Sequence, residues 1–220
     1  MNITNKRSAY IPALRYNWLI SLYDSIMQYT LREKKFKGQL IQQANIRAGH
    51  HVLDLGCGTA TLTILLKQLH PHTEIVGFDG DDKALSIAKR KVAAADLEIE
   101  LKKGISFELD LQDHYFDRVV SSLLFHHLTT KKKLETLAEI KRVLKPSGEL
   151  HIADWGKAQN ILMRGAFLFV QLLDGFSTTS ESVQGKLLDY MQQAGFENAG
   201  ETKRFKTIFG TLSLYRATLS

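Results

Sequence analysis

One cysteine and three prolines occur in 220 residues, and these scarcities remove several classes of protein. The lone thiol, Cys57, leaves no internal disulfide and no cysteine-based zinc site. It agrees with a reducing compartment, so the expected location is cytoplasmic. Pro12, Pro71 and Pro146 each fall where a helix should not continue. No internal repeat or low-complexity linker divides the chain, and no His/Cys/Asp/Glu cluster reads as a metal site. Residues 1–16 lack an apolar core of signal-peptide length. The most apolar stretch, residues 161–176, is interrupted by Arg164, Gln171 and Asp174. A spanning helix needs roughly 20 apolar residues, so no transmembrane segment is expected.

Charge of one sign is also not concentrated. The net charge is +6 and the pI near 9.3, but the basic residues scatter, with short clusters at 32–37, 131–133 and 203–206. Such clusters read as solvated faces. Only Phe36 and Phe205 lie within them, too few for a module that stacks on bases, so no nucleic-acid partner is expected. A basic surface is compatible with peripheral contact to anionic lipid. The length suits one domain, expected as a monomer or homodimer.

What is present is a regular alternation. Leu19, Leu22, Tyr23 and Ile26 share one helix face, and a second helix is expected over 33–44. Strands follow at 51–55, 74–78, 97–101, 117–123 and 149–153, separated by helical patterns. Leu97, Ile99 and Leu101 alternate with Glu98 and Glu100, as an edge strand with one wet face should. The helix over 131–144 is expected to stop at Lys145-Pro146-Ser147-Gly148. Residues 158–174 and 182–193 read as further helices, and 196–203 with 206–219 as a closing hairpin. The expected fold is α/β, a Rossmann-like doubly wound sheet of seven mostly parallel strands with the last antiparallel. It divides into an N-terminal helical cap (1–46), a core (47–155), a helical lid (156–181) and a C-terminal helix with hairpin (182–220).

The first strand runs directly into Gly56-Cys57-Gly58-Thr59-Ala60. Glycines there let the backbone turn tightly and approach a ligand, and the next helix offers unpaired N–H groups. Asp79, ending the second strand, can accept the two hydroxyls of a ribose. Asp54 decides between cofactors. A dinucleotide puts a pyrophosphate at the glycine turn, which a carboxylate repels; S-adenosylmethionine puts an ammonium there, which a carboxylate attracts.

Five segments together resemble the class I S-adenosylmethionine-dependent methyltransferases. They are Leu53-Asp54-Leu55-Gly56-Cys57-Gly58-Thr59, Val76-Gly77-Phe78-Asp79, Phe116-Asp117-Arg118-Val119-Val120, Phe125-His126-His127-Leu128 and Arg142-Val143-Leu144-Lys145-Pro146-Ser147-Gly148. His126-His127-Leu128 and Tyr23-Asp24 are similar to the ubiquinone/menaquinone C-methyltransferase-like group within that class. The resemblance implies Gly56 and Gly58 under the methionine part, Asp79 on the ribose, Gly80 and Asp81 beside the adenine, and Leu123 along the methionine tail. Its product would be S-adenosylhomocysteine. Two positions depart from the pattern. Ala60 replaces a third glycine, and is expected to be tolerated as a helix-starting residue with φ below zero. Ile105-Ser106 stands where an acid often meets the adenine amino group, leaving Ser106 or backbone to do so.

Methyl transfer from a sulfonium needs chiefly correct placement of the acceptor and exclusion of water. A base is required only for a protonated acceptor, and His127 and His126 are the candidates. Tyr16, Tyr23, Trp155 and Phe169 are candidate acceptor contacts, which would suit a small hydrophobic or aromatic substrate. Two other readings compete: an RNA or protein methyltransferase, and a non-catalytic cofactor-binding or scaffold protein of the same fold. Ser121-Ser122-Leu123-Leu124 stands where amino-methylating enzymes carry Asn/Asp-Pro-Pro-aromatic, which counts against base methylation.

Overall fold

The computed structural model describes residues 33–156, 185–207 and 210–219. Helix α1 (Glu33–Ala44) precedes β1 (His51–Leu55), α2 (Thr61–Leu69), β2 (Glu74–Asp79), α3 (Asp82–Ala94) and β3 (Glu100–Lys103). Then come β4 (Phe116–Ser122), a 3-10 turn (Phe125–His127), α4 (Thr130–Val143), β5 (Leu144–Trp155), α5 (Leu187–Gln193), β6 (Glu197–Thr207) and β7 (Gly210–Thr218).

The strands form one seven-stranded sheet in the order β3-β2-β1-β4-β5-β7-β6. The first five pair in parallel, and β7 runs antiparallel to both β5 and β6. The order reverses between β1 and β4, and open α/β sheets bind ligands beyond the carboxyl ends of the strands at such a point.

Both faces of the sheet are covered, which is why β1 is buried along almost its whole length. Phe36, Leu40 and Ile41 of α1 and Leu62 and Leu66 of α2 pack on Val52, Val120 and Ala153. Leu137, Ile140 and Val143 of α4 and Leu187 and Met191 of α5 pack on Leu53, Leu55, Val119, Leu150 and Ile152. Successive strand residues thus feed opposite layers. Helix α3 starts at an N-cap, Asp81, whose carboxylate accepts from Lys83 N at 2.8 Å and Ala84 N at 3.2 Å. Among the described residues, no helix is long and apolar enough to cross a membrane.

Several expected boundaries move. The edge strand pairs only over Glu100–Lys103, because Leu97 and Ile99 pack beside Ala88 and Val92 before the chain reaches β2. No loop separates α4 from the fifth strand. Leu144 is already extended and pairs with Phe116, and Pro146 falls within the irregular stretch of the β4–β5 register, where a missing N–H is tolerated. Helix α5 starts at Leu187 rather than 182, since Gly185 has φ +74, outside the helical region. The β6–β7 connection falls between Thr207 and Gly210, later than the expected break near 204. The helical patterns of 19–26 and 158–174 lie outside the described residues.

Candidate active site

The glycine turn is tied to the neighbouring strand. Gly56 N and Cys57 N both donate to Phe78 O, at 2.8 and 3.1 Å. Gly56 (φ +77) and Gly58 (φ +54) occupy the left-handed region, and a Cβ on Gly56 would press on Leu124 at 3.0 Å. Above Gly58 the Cβ direction is open space, which leaves a ledge for a ligand. Ala60 corrects the expectation from the sequence. Its φ is +62, so it carries a Cβ in the left-handed region as N-cap of α2, without a side-chain cap of its own. Nearby, Lys91 Nζ of α3 donates to the hydroxyls of Thr59 (3.2 Å) and Thr61 (2.7 Å).

Two carboxylates flank this turn. Asp54 is 1% exposed, and its Oδ2 accepts from Thr63 Oγ1 at 2.6 Å. Its Oδ1 is buried with no hydrogen-bond partner among the described residues. Burial pushes the Asp54 pKa up to about 6; Thr63 and Lys37 oppose the shift and Asp79 adds to it. Lys37, buried on α1, is paired with Glu33. Asp79 Oδ2 accepts from Gly58 N and Oδ1 from Asp81 N, both at 2.8 Å. Burial raises Asp79 as well, against those hydrogen bonds. Between the two acids, burial first and their charges second push the Cys57 thiol well up, so it stays protonated. An orphaned buried oxygen beside a second elevated acid is a site short of a cation. The ammonium of a methionine tail is the kind of group that would suit it, and carboxylate oxygens such as those of Asp79 could accept from ribose hydroxyls.

The Ile105-Ser106 segment, which carries no acid, follows β3 beside the end of β2. Gly104 N donates to Asp79 O at 3.0 Å, and a Cβ there would run into the Phe78 ring at 2.3 Å. Ser106 Oγ meets Thr136 Oγ1 of α4 at 3.0 Å. The following loop is clamped by Arg142, which donates to Leu109 O and Leu111 O (both 2.8 Å), to Glu139 and to Asp113. Glu139 Oε2 in turn accepts from Leu109 N at 2.7 Å. The Arg142 guanidinium is the main cause that holds the Glu139 carboxyl below its usual range.

The carboxyl ends of β4 and β5 supply the opposite wall. Leu123 adopts φ +60 and donates its N–H to Ala153 O at 2.8 Å, so β4 stops and the chain turns across the sheet end. A branched residue at positive φ stores backbone strain. Ser122 Oγ is buried with no partner among the described residues. His126 is 1% exposed and its Nδ1 lies 2.8 Å from Asp154 Oδ1. His127 is half-buried, 3.9 Å from His126 between ring centroids; burial first and His126 second hold its pKa well below the ordinary range. Trp155 is buried among Val52, Val120, Ala153 and Leu212, with its ring edge-on to His126 at 6.4 Å.

The structure therefore brings Asp54, Gly56, Gly58, Asp79, Gly80 and Asp81 together around the first two strand ends, and Leu123, His126 and Trp155 around the next two. Tyr16, Tyr23 and Phe169 lie outside the described residues. Sequence reasoning missed Thr63, Ser122 and the pairing of Asp154. A polar residue on the inward face of α2 and another in an apolar strand were the available signals for the first two. The third joins residues 28 apart and left none.

A family model described as a methyltransferase domain matches residues 52–148. The chain is 30% identical over 211 residues to a demethylmenaquinone methyltransferase from Lactobacillus johnsonii, covering 87% of this chain and 84% of that enzyme. One from Listeria welshimeri is 29% identical over 194 residues, covering 79% and 80%. Among solved structures, an S-adenosylmethionine-dependent methyltransferase from Aquifex aeolicus superposes with TM-score 0.67 at 20% identity, over 91% of this chain and 97% of that one. An N-methyltransferase from Haemonchus contortus solved with S-adenosylhomocysteine gives 0.66 at 14% identity, over 84% and 52%. At those identities the likeness is one of fold.

Proposed function

From a chain that belongs to the class I S-adenosylmethionine-dependent methyltransferases, we infer an enzyme that methylates a small hydrophobic or aromatic acceptor of the quinol type. The observation that carries the acceptor class is the likeness over 211 residues to an enzyme named for demethylmenaquinone. The cofactor is S-adenosylmethionine, and when bound it supplies an electrophilic methyl group on a sulfonium whose loss leaves a neutral thioether.

In this reading Asp54 Oδ1 and the Gly56–Gly58 turn hold the methionine tail, with Leu123 beside it. At ~4 Å in a partly buried site an ammonium–carboxylate contact is worth ~4 kcal/mol before desolvation. Asp79 holds the ribose. Asp81 commits its carboxylate to the α3 cap, so adenine recognition falls to the Gly80–Asp81 backbone and to Ser106. The His126–His127 pair takes the proton from an acceptor that arrives protonated. Residues 1–46 and 156–181 are proposed to complete the acceptor side of a single-domain enzyme, with Tyr16, Tyr23, Trp155 and Phe169 against the apolar substrate.

Transfer of labelled methyl groups to reduced demethylmenaquinone, a panel of simple phenols and bulk RNA tests this reading. Turnover with the quinol, or with phenols, supports it. Turnover confined to RNA contradicts it and brings forward the RNA-modifying alternative, and binding of the cofactor without turnover on any of them favours a non-catalytic role.

A further inference from the structure

Four donors and acceptors converge on one side chain at the end of β5. Asp154 Oδ2 accepts from Phe125 N at 2.7 Å and from His126 N at 3.3 Å. Its Oδ1 accepts from Trp155 N at 2.7 Å and lies 2.8 Å from His126 Nδ1. The two side chains are only 1% and 2% exposed, so no bulk water competes for the contact. Three of these partners are backbone N–H groups, which can only donate. Both oxygens are therefore engaged as acceptors, and the ring nitrogen that completes the set must donate as well.

We propose that Asp154 is a positioning residue for methyl transfer: it fixes His126 in the tautomer protonated at Nδ1, which leaves Nε2 as the proton-accepting nitrogen. This rests on the reading that the histidine pair takes the acceptor's proton, and it selects His126 over His127. When the acceptor's electron pair forms the new bond to the methyl carbon, the C–S pair stays on sulfur. The acceptor's proton moves to His126 Nε2, a nitrogen that bulk water does not reach. The Asp154 carboxylate steadies the imidazolium formed in between, as a carboxylate behind a catalytic imidazole does generally.

Other titratable groups stand on the elements around the pair. His127 shares the 3-10 turn, and the Tyr215 hydroxyl of β7 is held well above its ordinary pKa by burial, with Asp154 among the lesser causes. From α4, the buried Lys133 points over the Tyr190 ring at 5.9 Å. Among the described residues, Asp154 is the carboxylate that meets the imidazole directly.

A purely structural pin between the turn and β5 would cost stability when cut but would not set a tautomer. Long-range proton–nitrogen correlation spectra of the histidine rings, on the full ligand-free chain, separate the two, with His126 assigned by its loss in His126→Gln. At neutral pH His126 is expected protonated at Nδ1, and Asp154→Asn is expected to move the proton to Nε2. An Nε2-protonated His126 in the wild-type protein, or a tautomer unmoved in Asp154→Asn, overturns the proposal. Should Asp154→Asn fail to fold, the wild-type spectrum still decides. With demethylmenaquinol as acceptor, His126→Gln is expected to lower kcat ~100-fold or more. Dissociation constants for S-adenosylhomocysteine should stay within about twofold, and the double variant should be no worse than His126→Gln. Unchanged kcat in His126→Gln overturns the positioning role as well, whereas absent wild-type turnover sinks the acceptor reading alone, because the tautomer is measured without it.

Discussion

Thr63 donates its hydroxyl to Asp54 Oδ2 at 2.6 Å, one turn of helix reaching back to the strand nine residues earlier. That contact fixes the carboxylate but satisfies one oxygen only, and the other is buried without a partner among the described residues. The position works against the protein's own stability and in favour of a cationic ligand.

The first expectation concerns that opposition. The Asp54 pKa rises from its ordinary 3.8 to about 6, so the folded chain binds the proton more tightly than the unfolded one. Stability from this group is complete below pH ~4 and is lost as pH rises through ~6, a cost on the order of 3 kcal/mol at ~1.4 kcal/mol per unit. Asp54→Asn should raise the Tm of the ligand-free protein at pH 7 and weaken S-adenosylhomocysteine binding ~100-fold. Wild-type affinity should fall as pH drops below ~6. Calorimetric titration at pH 5 and 7.5 reads both, and pH-independent affinity would remove Asp54 from the site.

Ala60 offers a second test. Its left-handed backbone costs an alanine ~1 kcal/mol relative to glycine, while its buried methyl contributes about as much. Ala60→Gly should therefore change stability by less than ~1 kcal/mol in urea unfolding. Ala60→Val, β-branched at positive φ with no room, should lose more than ~2 kcal/mol. A destabilisation of that size in Ala60→Gly would mean that the strain is absent.

Arg142 and Glu139 make a third. Together they hold the loop that carries Leu109, Leu111 and Asp113 against α4, next to the proposed adenosine position. Because Arg142 is partly exposed, Arg142→Met should cost only about 1–2 kcal/mol globally. Amide exchange over residues 105–114 should accelerate far more than in β1 or β4, and cofactor affinity should drop severalfold. Uniform acceleration would show that the clamp has no local role.

The amino end of the sheet answers to acid. Glu149 meets His151, Arg216 and Arg118, and the His151 contact leads in lowering its pKa to about 2. A depressed carboxyl contributes stability above its unfolded pKa, here near 4.5, and loses it as pH falls through ~2. The contribution is on the order of 2–3 kcal/mol. Wild type and Glu149→Gln should differ by about that amount at pH 7 and converge near pH 2. A gap that persists at pH 2 would assign the effect to packing.

The parts of this fold that could be read in advance are those that chemistry fixes locally. Val52, Leu53 and Leu55 are apolar because both sheet faces are covered, and Gly56 and Gly58 follow because the turn needs positive φ. Asp54 and Asp79 were identifiable from the charge each could tolerate beside a ligand. What stayed hidden depends on distant partners. The β3 boundary is set by where β2 becomes available, and the start of β5 by Leu144 reaching Phe116. Ala60 violates a local rule, since alanine gives no hint of left-handed backbone. The pairing of Asp154 with His126 joins β5 to the turn after β4, and no local spacing announces it.

Thermal unfolding with S-adenosylmethionine, S-adenosylhomocysteine and NAD, each in excess, tests the cofactor assignment most directly. At a hundredfold excess over its dissociation constant a ligand adds ~2.7 kcal/mol, or a rise of roughly 5–10 °C for a chain of this size. The expected result is that rise with both adenosyl compounds and none with NAD. No rise with either adenosyl compound, or a rise with NAD alone, would contradict a site built around Asp54 and Asp79 for a cationic adenosyl cofactor.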